Sequence, residues 1–290
     1  VIRLYIFNAL IRTIGWFFGQ SISVKKHNKE DILTYPETTW DLVPFPKFKR
    51  PLFNHDNLAT VNRHTFIEEP CFYKARLAAE SRWVESFKHQ SEVRNITWRL
   101  HTSIWAAGAA LRAGIDNSIF VECGTGRGFM ATGIATYYDF EKTTRPNFYL
   151  IDIFSSTLSD SNAHSSNPAE FAYTSDAIEV EDWFRKYPSI KVIQGFIPDC
   201  LAELPDKPIS FLHVDLNSAS AEESTLEALK ARFRKGSIIL FDDYIWYKGN
   251  KDKGEHGAFK DFKIKFNNIK FRRAFDYGYG SRAYIVSKID

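Results

Sequence analysis

The sequence predicts an α/β fold: a mostly parallel sheet with helices on both faces, an antiparallel pair of strands at the C-terminus, and an N-terminal helical and extended segment. Three observations predict it. Short apolar runs alternate with helix-compatible stretches from about residue 118 onward, the pattern of a parallel sheet covered on both sides. The first of these runs opens into Gly124-Thr125-Gly126-Arg127-Gly128, a glycine loop between strand and helix. Acidic residues close three of the runs, at Asp152, Asp215 and Asp242-Asp243. Sheets of this kind bind ligands beyond the carboxyl ends of their strands.

The chain of 290 residues is long enough for one large α/β domain with an extension. We divide it into an extension, 1–95, and a catalytic domain, 96–290. Hydrophobic residues at 44% and charged residues at 25% describe a soluble globule. A net charge of +3, with scattered lysines and arginines, gives no ground for a nucleic-acid partner. The aromatic share of 16% fits a well-filled core or an aromatic-walled cleft. Cys71, Cys123 and Cys200 are widely spaced and form no C-x-x-C pair. They argue against a disulfide framework or zinc site, and for a reducing compartment, the cytoplasm. Cys123, inside the glycine segment, reads as a small buried filler.

The segment 1–24 is largely apolar, but its charge-free part, 13–24, is too short to span a bilayer. It reads as a helix docked on the body, on a partner chain or on a membrane surface. A homo-oligomer formed through this extension is consistent with it. Pro36, Pro44, Pro46 and Pro51 prevent regular structure and make 35–57 an extended arm, carrying Trp40, Phe45, Phe48 and Phe53 over the body. Helices are expected at 70–87 and 96–111. The second places Leu100, Ile104, Ala107 and Leu111 on one face and stops at Gly114.

Strands are expected at 118–122, 147–153, 190–193, 209–215 and 237–241, with a helix at 129–138 after the glycine loop. A helix from Asp176 to Tyr187 has Glu179 placed for a capping box. Another is capped by Ser220 with Glu223, presents Leu226, Leu229 and Phe233, and ends at Gly236. Between them, 155–174 is a Ser/Asn/Ala-rich loop of a length usually tied to function or disorder. Residues 271–275 and 283–287 form the terminal antiparallel pair.

The glycine loop has the spacing Gly-x-Gly-x-Gly, with Glu122 two residues ahead of it. It differs from the Gly-x-Gly-x-x-Gly of dinucleotide dehydrogenases and resembles the first motif of class I S-adenosylmethionine (SAM) methyltransferases. The resemblance implies a Rossmann-like sheet and SAM as cofactor. Glycines let a backbone approach a ligand closely, and an acid ending the second strand, here Asp152, can accept bonds from ribose hydroxyls. The implied cofactor-binding set is Glu122, Gly124, Thr125, Gly126, Gly128, Asp152, Ile153 and Gly195. The alternative is a turn that simply requires glycine.

Adjacent carboxylates repel and are costly to desolvate unless a positive charge sits among them. Asp215, Asp242 and Asp243 therefore point to a hard divalent cation, Mg²⁺ or Mn²⁺. Asn217 can add an amide oxygen. The alternative is that Asp242 caps the following segment and Asp243 pairs with a lysine.

The segments around His213-Val214-Asp215-Leu216-Asn217, Glu223 to Leu229 and Lys235 to Tyr244 are similar to the macrocin O-methyltransferase family. So are Tyr149 to Phe154 and Gly195 to Leu201, and the likeness spans about 98–288. It implies a metal-dependent O-methyltransferase acting on a hydroxyl of a sugar or another small natural-product acceptor. In that reading Asp215 is both cation ligand and base, and His213 stands behind it on the same strand face. His256, in the Gly- and Lys-rich loop 248–257, is a further candidate base. Competing readings are a metal-free N- or C-methyltransferase, a nicotinamide-dependent oxidoreductase, and a non-catalytic SAM-binding relative.

Overall fold

A computed structural model describes residues 70–83, 97–142, 145–154, 176–216, 218–244, 254–277 and 281–290. The expected N-terminal helix, the aromatic arm, the loop 155–174 and Asn217 lie outside the described residues, and so does the point at residue 95 where we divide the chain.

Among the described residues two helices come first, α1 (Pro70–Trp83) and α2 (Thr97–Ala113), and Gly114 follows α2 with a left-handed φ of 63°. The alternation then runs β1 (Ile119–Cys123), α3 (Phe129–Tyr137), β2 (Asn147–Asp152), α4 (Ala177–Phe184) and β3 (Ile190–Gln194). It continues with β4 (Ile209–Val214), α5 (Ala219–Leu229), β5 (Phe233–Phe241), α6 (Gly254–Lys265), β6 (Ile269–Tyr277) and β7 (Ser281–Ile289). The seven strands form one sheet in the order β3-β2-β1-β4-β5-β7-β6. The first five are parallel, and β7 is antiparallel to both β5 and β6. The order reverses between β1 and β4, so the crevice beyond their carboxyl ends is the expected ligand position.

Each face of the sheet has its own core. On one, Phe120, Phe148, Leu150, Phe211 and Leu240 pack under α1 to α4. Phe120 anchors this side, with its ring 5.2 Å from Phe211 and 5.8 Å from Phe148. On the other, Val121, Ile151, Leu212, Ile239 and Phe241 pack under α5 and α6. The alternation along each strand follows from the two-residue period of the pleat. Phe72, Ala75 and Ala79 bring α1 into the first of these cores.

Several boundaries differ from the sequence reading. Ser218, not Ser220, caps α5, accepting the Ala221 amide at 3.4 Å. Asp176 does cap α4 through the Ile178 amide at 2.8 Å, but Glu179 turns to Arg82 at 2.6 Å instead of closing a capping box. The helix α5 stops at Leu229, and Phe233 opens β5. Gly236 lies inside that strand with φ 97°, where the register against β4 slips between Ile209 and Phe211. A bulge needing a left-handed residue carries the same glycine signal as a helix stop. His256 was expected in a loop; it lies in the first turn of α6.

Candidate active site

The site is assembled where the backbone ladder continues past the strand ends. Asp215 donates its amide to Cys123 O at 2.9 Å, Asp242 to Val214 O at 3.2 Å, Gly124 to Ile151 O at 2.9 Å and Gly195 to Asp152 O at 3.0 Å. These bonds fix the glycine loop, Asp152, Asp215 and Asp242 relative to one another before any ligand arrives.

The glycines of the loop serve different ends. A Cβ on Gly124 would lie 1.8 Å from Asp215 O, so this glycine permits the close contact of β1 with the turn after β4. A Cβ on Gly128 would meet the Phe184 ring at 2.5 Å, which ties α4 against the start of α3. Gly126, at φ 54°, has nothing within 4 Å of its Cβ position among the described residues. That open face is where a ligand can come against the backbone. The Gly126 amide donates to Asp152 Oδ2 at 2.7 Å, and the Phe154 amide donates to Asp152 Oδ1 at 3.0 Å. The buried Thr125 Oγ1 has no hydrogen-bond partner among the described residues. An open glycine, an oriented carboxylate and an orphaned hydroxyl fit a nucleoside cofactor seated on the loop. Cys123 is fully buried, and burial pushes its thiol far up, so it acts as packing.

Beneath the strand ends lies a buried pair. Glu122 and His213 are register partners on β1 and β4, and His213 Nδ1 lies 3.1 Å from Glu122 Oε1. Both are 1% exposed. Burial raises the Glu122 carboxyl against the opposing hydrogen bond to His213. Burial alone would lower the His213 imidazole, but the Glu122 hydrogen bond and the charges of Glu122, Asp242 and Asp215 outweigh it and raise it. The contact thus opposes the effect of burial on each partner, overcoming it at His213 but not at Glu122.

Above this pair, ligand atoms of Asp215, Asp242 and Asp243 all come within 4.8 Å of one another. Burial, followed by the charge of Asp242, pushes the Asp215 carboxyl well above the ordinary range, and burial pushes Asp243 up to about 6. Hard oxygen donors in such a cluster fit Mg²⁺ or Mn²⁺. Three participants carried no sequence signal of their own. Arg99 of α2 reaches Asp242 Oδ2 at 2.6 Å, as an ion pair without in-line hydrogen-bond geometry, and donates to Asp243 Oδ1 at 3.0 Å. Glu255, buried in α6, accepts the Asp243 amide at 2.9 Å. Glu222, buried in α5, leaves Oε2 without a hydrogen-bond partner among the described residues. Burial raises both glutamates, Glu222 to about 7. Ser281 of β7 completes the surroundings, with Oγ 3.1 Å from Asp242 Oδ1. Arg99 lies off the apolar stripe by which its helix is recognised. Glu255 adjoins His256 in the sequence, and only folding brings Arg99 and Glu255 to the aspartates.

His256 stacks on the Tyr244 ring with centroids 4.5 Å apart. Ile153 and Gly195 flank Asp152: Gln194 Nε2 donates to Ile153 O at 3.1 Å, and a Cβ on Gly195 would meet Cys200 Cβ at 2.6 Å.

Residues 121–244 match the family model of a methyltransferase domain. The matched span contains the glycine loop and all three clustered aspartates, and the chain is a methyltransferase. The structure of the O-methyltransferase NovP aligns with 75% of this chain and 98% of its own, at 16% identity and a TM-score of 0.56. The structure of the Podospora anserina methyltransferase PaMTH1, bound to SAH, aligns with 84% of this chain and 99% of its own, at 14% identity and a TM-score of 0.50. These likenesses establish the Rossmann-like methyltransferase fold. No curated protein sequence matches the chain. Among the described residues, no helix is long and apolar enough to cross a membrane.

Proposed function

We propose that this methyltransferase transfers the methyl group of SAM to a hydroxyl of a small acceptor, a sugar or another natural product, with the help of Mg²⁺ or Mn²⁺. The observation that carries the reading is the convergence of Asp215, Asp242 and Asp243 within 4.8 Å, at the sheet end that also presents the open Gly126. The resemblance to macrocin O-methyltransferases and the fold shared with NovP support the same reading.

Bound there, SAM supplies an electrophilic methyl group and the divalent cation acidifies the acceptor hydroxyl. Asp152 uses the lone pairs not spent on Gly126 and Phe154 to orient the ribose. Thr125, Ile153 and Gly195 line the same crevice. Asp215, Asp242 and Asp243 would hold the cation, and Asp215 would also accept the acceptor's proton. Burial and the charge of Asp242 raise the affinity of Asp215 for a proton, the direction a base requires. The Glu122–His213 pair beneath fixes the floor on which Asp215 stands. Alignment of the acceptor with the methyl group then supplies much of the rate.

The test is calorimetric titration of SAM and of Mg²⁺ into wild type and Asp242→Ala/Asp243→Ala, followed by methyl transfer to a panel of hydroxylated acceptors with Mg²⁺ or EDTA. The reading requires SAM binding by wild type, a Mg²⁺ heat abolished in the double variant, and transfer that stops in EDTA. Transfer that persists in EDTA would transfer the assignment to a metal-free methyltransferase.

A further inference from the structure

We propose that Arg99 is the resident counter-ion of the aspartate cluster and sets its affinity for a divalent cation. The inference rests on the cation site of the proposed function and adds a residue outside the matched methyltransferase span of 121–244. Its guanidinium contacts one oxygen on each of two neighbouring carboxylates, Asp242 Oδ2 at 2.6 Å and Asp243 Oδ1 at 3.0 Å. The side chain is 18% exposed and Asp242 is 1% exposed, so solvent screens the contact only weakly. When Asp215, Asp242 and Asp243 are all ionised, the one guanidinium held by Asp242 and Asp243 leaves two of the three negative charges uncompensated. A divalent ion matches that deficit. The 2.6 Å contact lacks in-line hydrogen-bond geometry, so the guanidinium is not locked to these oxygens in a bidentate fork and a cation can compete for them.

Two consequences follow. Without a cation, Arg99 keeps the buried carboxylates from standing wholly unpaired, which would be strongly destabilising. With a cation, its positive charge and its hold on Asp242 and Asp243 weaken binding. Arg99 therefore keeps the site exchangeable. It also links cation occupancy to α2, because the side chain extends from that helix.

The experiment compares wild type, Arg99→Gln and Arg99→Lys, each stripped with EDTA and dialysed. Mg²⁺ affinity is measured by calorimetry and the melting temperature is recorded with and without Mg²⁺. The expected result is a lower melting temperature for cation-free Arg99→Gln, a larger rise on adding Mg²⁺, and a Mg²⁺ dissociation constant lower by on the order of tenfold. Arg99→Lys keeps the charge but can serve only one aspartate at a time, so its dissociation constant falls by about threefold. That variant decides the matter if Arg99→Gln does not fold. Wild type that binds Mg²⁺, with variants that bind no tighter, overturns the role of Arg99 and leaves the cation site standing. Binding by the variants but not by wild type supports Arg99 and removes the cation from the proposed wild-type mechanism. Absence of binding in all three overturns both.

Discussion

Asp152 accepts the amide of Gly126 at 2.7 Å, so the acid at the end of β2 shapes the glycine loop from within. Its other oxygen accepts the Phe154 amide at 3.0 Å and holds that residue at a left-handed φ of 47°. Losing the carboxylate should therefore damage the loop and the cofactor site together. Asp152→Ala is expected to cost about 1.5–3 kcal/mol of stability, the range for a hydrogen bond to a charged group. SAM affinity should fall by on the order of a hundredfold. Asp152→Asn keeps one acceptor oxygen, so the melting temperature should recover most of the loss while SAM affinity stays about tenfold weak. Thermal melts and SAM calorimetry on both variants check this; equal stability in all three proteins would contradict the internal role.

The glycines predict contrasting failures. At Gly126 an added Cβ meets nothing within 4 Å among the described residues, so Gly126→Arg should fold, at a cost of about 1–2 kcal/mol for the left-handed φ, and should lose SAM binding. At Gly124 even alanine places Cβ 1.8 Å from Asp215 O, so Gly124→Ala should separate β1 from the turn after β4 and lower the yield of folded protein. Circular dichroism separates the two outcomes. A well-folded Gly124→Ala with wild-type stability would show that the contact relaxes freely.

Cation binding should weaken in acid. Burial holds the Asp243 carboxyl at about 6, and burial with the charge of Asp242 raises Asp215 well above its ordinary range. A cation needs these groups ionised, so protons compete with it as the pH falls through 6. The Mg²⁺ dissociation constant at pH 5 should exceed that at pH 7.5 by about tenfold from Asp243 alone. Calorimetry in buffers of different ionisation enthalpy counts those protons. An affinity unchanged between the two pH values would remove Asp243 and Asp215 from the ligand set.

The sequence disclosed what repeats along the chain or stands at a fixed spacing. The strand–helix alternation, the glycine loop and the aspartates at strand ends were all legible because period and position carry them. Arg99, Glu222 and Glu255 were not. Each belongs to a helix whose pattern reports which face is buried, while its meaning depends on which strand end lies opposite. Gly236 shows a second limit: a left-handed glycine after an apolar helix reads as a stop, yet here it bulges β5 against β4. Ser218 and Ser220 show a third, since two serines within one turn both suit an N-cap and only the path of the chain selects Ser218.

Glu222 offers the last test, because its carboxylate is buried and incompletely partnered. Burial raises it from an ordinary 4.5 to about 7, a backbone hydrogen bond from Ser218 opposes the rise, and the charge of Asp243 adds to it. A carboxyl raised in the folded state contributes stability that is complete below about 4.5 and is lost as pH climbs through about 7. In EDTA, wild type should therefore lose stability between pH 5 and pH 8, and Glu222→Gln should lose less. Glutamine keeps an acceptor for Ser218 and carries no charge. The two proteins should unfold alike near pH 4, and at pH 8 the variant should be the more stable by on the order of 1–3 kcal/mol. Saturating Mg²⁺ at pH 8 should narrow the gap, since a cation among the aspartates also compensates Glu222. A variant less stable than wild type at pH 8 in EDTA would mean that the ionised carboxylate has a partner the hydrogen bonds do not reveal.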